Sequence, residues 1–444
     1  MLNDKTTLKD LSIFGSSGSI FHLLDHCITQ LGRDALRKHI IHPPDSYEAL
    51  QKIQEVVRFF SQEPQTFPTI ISNGTLVMLE KFFDSADHLP QKPSGFNLLF
   101  NSFFQKTLNR NEYTFNQFSV SHLSDFVKGM KELTMLLDTH KIPGRLREIL
   151  EEIKKELDSQ RLTEELLNVE KNTLYKQLAT LSYLARRELK NPVTRLLKLY
   201  SLLDAWQSMG KAATLHNWSF PFLSPSAPVL FEANELYHPL LNKPISYTIR
   251  FDRHQNFLLL TGANMSGKTT FMRSLGIAAL LAHIGAAVPA KEMAVSFLQG
   301  IITNMHVEDN ILLGESLFMA EVQRIKQTAQ KVTEPQPHLV LMDELFKGTN
   351  VHDAYECTKA VVDGLLRHKH HIMVLSTHLY EVAQQFWEHT GINFGYFVTD
   401  LTQQGNYSFT YELKAGISND RIGYRILQKE GVIDLLEGKD GETF

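Results

Sequence analysis

Cysteine is scarce in this 444-residue sequence. The two present, Cys27 and Cys357, lie far apart and lack CxxC spacing, which argues against a disulfide framework and a cysteine zinc site. A reducing cytosol fits this usage, so a cytoplasmic location is expected. Long apolar runs are missing as well. No stretch approaches the roughly 18 residues a spanning helix needs, so no membrane is expected. The opening Met1-Leu2-Asn3-Asp4-Lys5 has no apolar signal core. Nor is there an excess of one charge: 45 basic and 49 acidic residues leave a net charge of -4. That balance excludes a generic polycation coating nucleic acid, while a local basic patch stays open. Repeats and low-complexity tracts are absent.

The length accommodates roughly two to four domains, and a 43% hydrophobic fraction suits a buried core. From the start to about Pro225 the text reads helical, rich in Leu, Lys, Glu and Gln. Leu146, Leu150, Ile153 and Leu157 form one helical stripe among charges of both signs. Ser61–Ser124, with Pro64, Pro68, Pro90 and Pro93, reads as short helices joined by proline-broken loops. Trp218–Pro228 reads as a linker, because three prolines interrupt it.

Beyond that point strands and helices alternate. Phe257-Leu-Leu-Leu260 ends at a glycine loop, Leu339-Val-Leu-Met342 at an acidic pair, and Ile372-Met-Val-Leu375 at Ser376-Thr-His378. Each is a candidate buried parallel strand with polar residues at its C-terminal end, where open α/β sheets bind ligands.

The run Gly262-Ala263-Asn264-Met265-Ser266-Gly267-Lys268-Thr269 fits G-x-x-x-x-G-K-[ST]. Glycines let the backbone wrap a phosphate, and loop amides with the next helix N-terminus point at the anion. Lys268 is expected to reach the β- and γ-phosphates of ATP and the Thr269 hydroxyl to ligate Mg²⁺. A strand before the loop and a helix over Thr270–Ala282 after it favour this over a chance glycine turn. Asp343 is expected to hold Mg²⁺ through water, and Glu344 to orient or deprotonate the attacking water. Alone, an apolar-Asp-Glu run is usually a strand end with surface acids. Gly314-Glu-Ser316 begins a helix whose stripe is Phe318, Val322, Ile325, Ala329 and Val332, with Ser316 at the N-cap. Read alone, that is a capped helix and no more. His378 can donate to a γ-phosphate, yet 19 histidines are present and many such residues are structural.

Together these motifs resemble the DNA mismatch-repair MutS family, whose ATPase domain is similar to ABC-transporter ATPases. The family's TGPNMGGKST loop is matched by Thr261-Gly-Ala-Asn-Met-Ser-Gly-Lys-Thr-Thr270, with Asn264-Met265 the distinctive part. Its LVLMDEIGRGTS motif is matched by LVLMDELFKGTN over Leu339–Asn350. Tyr237-His238-Pro239 resembles the family's entry motif, and Tyr411–Gly416 with Gly423 and Gly431 its closing segment. Near the start, Ser19–Asp25, Thr29-Gln-Leu-Gly32, His42-Pro43 and Gln54 follow its helical core.

The resemblance implies an α/β P-loop NTPase domain, ABC-ATPase-like, at 226–444, preceded by an all-α helical core and lever domain at 1–225. It implies an ATP hydrolase using ATP and Mg²⁺ at a head-to-tail homodimer interface and gating DNA binding in mismatch repair or a related DNA transaction. Ser316 would touch the γ-phosphate bound by the partner subunit, and His378 would sense it. The mismatch-reading domain and connector are expected to be absent, as is the nuclease of one MutS-like branch. The only Phe-x-Glu copy, Phe386-Trp-Glu388, falls within the ATPase domain. Phe346-Lys347 replaces the usual Gly-Arg, Glu315 stands where an Arg is usual, and Tyr247 replaces an Asn expected near the nucleotide. The alternative is an ATP-gated protein that grips a protein or ribonucleoprotein partner through its helical part. An ABC-transporter subunit suits the helical N-terminal part less well.

Overall fold

The computed structural model describes residues 4–15, 18–62, 67–84, 110–138, 141–158, 166, 175–305, 317–401, 407–418 and 432–436. The chain divides into two compact units that are not consecutive stretches of sequence. One comprises Met1–His22, Ile41–Leu50 and Asn217–Phe444; the other comprises Leu23–Ile40 and Gln51–His216. Architecture is mixed, with helices in both units and two β-sheets in the first.

In the second unit every described element is helical, including Asn73–Asp84, Arg110–Leu137, Gly144–Leu157 and Lys190–Leu215. Leu146, Leu150, Ile153 and Leu157 are all buried, as their spacing predicts. Their helix packs on Arg110–Leu137 and Lys190–Leu215. Each such side chain contributes roughly 2 kcal/mol by leaving water. The Thr29-Gln-Leu-Gly32 motif has a local cause. Buried Asp204 accepts hydrogen bonds from the Ile28 amide at 2.9 Å and the Thr29 amide at 3.0 Å. The Thr29 hydroxyl donates to the same carboxylate at 2.7 Å.

Two sequence expectations need correction. Residues 110–124 are not short broken helices but the first half of the 28-residue helix Arg110–Leu137. No proline stands between Pro93 and Pro143, so nothing stops it. The proline-rich stretch Trp218–Pro228 is not all linker. It holds strand β1, Phe222–Ser224, which fits between Pro221 and Pro225 and pairs parallel with β5, Glu292–Ser296.

Strand β1 joins a four-stranded sheet of order β1-β5-β2-β3, with β2 at Leu230–Leu236 and β3 at Tyr247–Asp252. The six-stranded sheet has order β10-β9-β4-β8-β7-β6. Its members are β4 (Phe257–Thr261), β6 (Gly300–Asn304), β7 (His338–Asp343), β8 (Ile372–Ser376), β9 (Ile392–Leu401) and β10 (Tyr407–Ala415). All neighbours run parallel except the β9–β10 pair. Central strands β4, β7 and β8 are buried along their full length, which is why they read as continuous apolar runs.

The helix Lys268–His283 packs against β6, β7 and β8. The helix Leu317–Val332 contributes Phe318, Val322, Ile325 and Val332 to an apolar cluster with β4, β7 and β8. Its predicted stripe fails at Ala329, which is exposed. Thr328 and Glu321 are buried instead. Thr328 Oγ1 accepts from Asn304 Nδ2 at 2.9 Å and donates to the Arg324 carbonyl at 3.1 Å, which satisfies its hydroxyl.

Candidate active site

Strand register explains why residues distant in sequence meet. Leu260 at the end of β4 pairs with Ser376, and Ser376 pairs with Asp343 at the end of β7. The three strands therefore finish side by side, and whatever follows each one shares a single rim. The glycine loop follows β4, Glu344 follows β7, and Thr377-His378 follow β8.

The loop Gly262–Gly267 turns on glycines at φ 129° (Gly262) and φ 108° (Gly267), a region that side chains with a Cβ avoid. Lys268 opens the following helix and its side chain folds back over the loop. Its Nζ donates to the carbonyls of Gly262 at 2.8 Å and Ala263 at 2.9 Å. Ser266 Oγ is buried in the loop without a hydrogen-bond partner, a state that costs free energy until an acceptor or donor arrives. Asn264 and Met265 are exposed.

Opposite the loop, Asp343 binds two hydroxyls. Thr269 Oγ1 donates to its Oδ2 at 2.6 Å, and Ser376 Oγ donates to its Oδ1. Glu344 continues the ladder, its amide donating to Ser376 O at 3.0 Å. Its carboxylate faces three cationic or titratable groups: Lys347 Nζ at 3.1 Å, Lys268 Nζ at 3.6 Å and His378 Nδ1 at 3.9 Å. Burial pushes the Glu344 carboxyl up, but Lys347 and Lys268 outweigh it and hold it below its ordinary value. Burial pulls Lys268 down against the opposing charges of Glu344 and Asp343, and the net shift is downward.

These groups border a cleft of about 420 Å³ lined by residues 264–270, Met305, Asp343, Glu344, Lys347 and Tyr411. Backbone strain concentrates here. Among the described residues seven non-glycine positions have positive φ, and Met265, Glu344, Phe346 and Tyr411 belong to this site or its loops. Such conformations persist only where surroundings enforce them, and they gather at functional sites.

The structure thus brings together Gly262, Ala263, Asn264, Met265, Ser266, Gly267, Lys268, Thr269, Thr270, Asp343, Glu344 and His378. Ser316, with Gly314 and Glu315, lies outside the described residues, as do Gly423 and Gly431. Tyr247 is not at the cleft. It is buried, with ring centroids 5.0 Å from Phe271 and 6.0 Å from Phe397. Three contributors escaped the sequence reading as site residues: Ser376, Lys347 and Tyr411. All three lie within stretches that resemble the family's motifs, and their place at the site appears only once the strands are aligned. Tyr411 reaches the loop through the β9–β10 hairpin, where the register shifts between Phe409 and Leu413. A Cβ on Gly267 would lie 3.1 Å from its ring.

Residues 258–435 match the family model for MutS domain V. The match takes in the loop, the acidic pair, His378 and Tyr411. Residues 258–435 therefore carry a domain of the MutS domain V kind. The chain is similar to the DNA mismatch repair protein MutS of Staphylococcus aureus strain JH9, 28% identical over 250 residues. The same proteins of strains Newman and JH1 match equally. The similarity covers 54% of this chain and 28% of the length of each relative. No helix among the described residues is long and apolar enough to cross a membrane.

Proposed function

We propose that this chain is an ATP hydrolase of the P-loop, ABC-ATPase-like kind. The observation that carries the reading is the convergence of Lys268, Thr269, Asp343 and Glu344 on one cleft, with the orphaned Ser266 hydroxyl buried in its loop. In this reading Lys268 leaves the carbonyls of Gly262 and Ala263 for the β- and γ-phosphates. Ser266 and the loop amides supply further donors to the same anion. The Thr269 hydroxyl and Asp343 carboxylate, 2.6 Å apart, are hard oxygen donors of the type Mg²⁺ prefers. Bound there, that ion supplies neutralisation of phosphate charge. Glu344 accepts a proton from, or orients, the attacking water, and His378 donates to the γ-phosphate.

The cycle is proposed to operate in a head-to-tail homodimer. Ser316, at the head of the helix Leu317–Val332, completes the site of the partner copy, so that ATP closes the pair and hydrolysis releases it. The similarity to the DNA mismatch repair protein MutS supports DNA as the ligand being gated. A net charge of -4 predicts weak, salt-sensitive contacts on that DNA.

Two measurements test the reading. Light scattering on the Glu344→Gln chain is expected to give a dimer with Mg-ATP and a smaller species without it. Gel shifts on duplex, mismatched and branched DNA at low salt are expected to show ATP-dependent retention. A monomer under both nucleotide conditions contradicts the dimer cycle, and no retention of any DNA contradicts the gating.

A further inference from the structure

Glu321 is a buried carboxylate in the second turn of the helix Leu317–Val332. Its oxygens accept from two successive backbone amides, Lys347 N–H at 3.1 Å and Gly348 N–H at 3.2 Å. One amide on each carboxylate oxygen fixes both the side chain and the loop backbone. Two further contacts reinforce the same junction. A Cβ on Gly348 would lie 2.6 Å from the Phe318 backbone nitrogen, so only glycine lets the loop approach the helix this closely. The Phe318 and Phe346 rings sit 6.0 Å apart. The gripped loop is the one that carries Glu344 and Lys347, with Glu344 and Phe346 both at positive φ. The gripping helix is the one that begins directly after Ser316.

We propose that Glu321 is a positioning residue that locks the loop bearing Glu344 and Lys347 to the helix Leu317–Val332, so that displacement of either moves the other. This rests on the ATPase reading above and extends it. Nucleotide contacts made in one site would be transmitted through Glu321 to the helix Leu317–Val332. The phosphate loop follows β4 and Lys268 opens the helix after it, so the backbone that carries them does not depend on this junction, and turnover should change more than nucleotide affinity.

The test uses the full chain with Glu321→Ala and, as a near-isosteric second variant, Glu321→Gln. Turnover is expected to fall at least about tenfold, while the Kd for Mg-ATP stays within about twofold. Amide exchange across Leu317–Val332 should slow on adding Mg-ATP to the wild-type chain and should not respond in Glu321→Ala. Wild-type turnover in both variants overturns the proposal. So does a loss of affinity that parallels the loss of turnover, or an exchange response that survives in Glu321→Ala. The clamp is also read without nucleotide, from the Lys347 and Gly348 amides, which should exchange slowly in wild type and fast in both variants. Equal rates overturn it. A wild-type chain that binds no Mg-ATP contradicts the ATPase reading, and the nucleotide-free rates still decide the clamp.

Discussion

The Lys268 ammonium stands 3.6 Å from the Glu344 carboxylate, so the phosphate-binding cation and the proposed base partly neutralise each other before any nucleotide enters. Lys347, at 3.1 Å from the same carboxylate, adds to that restraint. An entering triphosphate competes with Glu344 for Lys268. The base is then left with a smaller positive surround, in the vicinity where water attacks.

Replacing Glu344 by Gln keeps the side chain's shape and removes its charge. Turnover is expected to fall about 100-fold or more, the contribution of a positioned base. Mg-ATP affinity should be kept or raised, because a rival anion for Lys268 is gone. A single-turnover assay beside an equilibrium titration checks both, and unchanged turnover contradicts the assignment.

Tyr411 borders the cleft from a hairpin bulge, beside Gly267. Truncation in Tyr411→Ala should weaken nucleotide binding about fivefold through lost aromatic contact. Tyr411→Phe should bind as wild type, since it keeps the ring that lies beside Gly267. Competition with a fluorescent ATP analogue measures both variants.

Stability should fall with acid for a reason separate from the carboxylates. Burial pushes His238, His283 and His371 down to about 4, with the Arg273 charge adding to the effect at His238. Between that value and the ordinary 6.5 the unfolded chain binds protons that the folded chain refuses. Folding free energy is therefore expected to be flat above 6.5 and to decline as pH falls toward about 4, each histidine adding up to about 1.4 kcal/mol per pH unit. Urea unfolding across that window should show a shallower decline in His371→Asn than in wild type. The variant should also be less stable at neutral pH, because His371 bonds both the Val332 carbonyl at 2.8 Å and the His338 amide at 3.0 Å.

Much of the six-stranded sheet was legible because its central strands are buried on both faces and so spell uninterrupted apolar runs. Phe257–Leu260, Leu339–Met342 and Ile372–Leu375 each lie within one observed strand. The glycine loop was legible because its residues are contiguous. The four-stranded sheet was not read as such, since β1 hides between prolines and β2, β3 and β5 alternate buried with exposed or half-buried residues and spell no continuous apolar run. Glu321 was invisible to an apolar-stripe argument because its burial is satisfied by backbone amides. Its partners lie 26 and 27 residues away, on a loop whose path the sequence does not disclose.

The central claim, a triphosphate seated by Lys268, is tested most directly by calorimetric titration of Mg-ATP into the Glu344→Gln chain and into the same chain carrying Lys268→Ala. The account predicts saturable binding of one nucleotide per chain in the first, and at least about tenfold weaker binding in the second, where the charge-assisted phosphate contact is lost. No heat of binding in the first, or equal affinity in both, would contradict it.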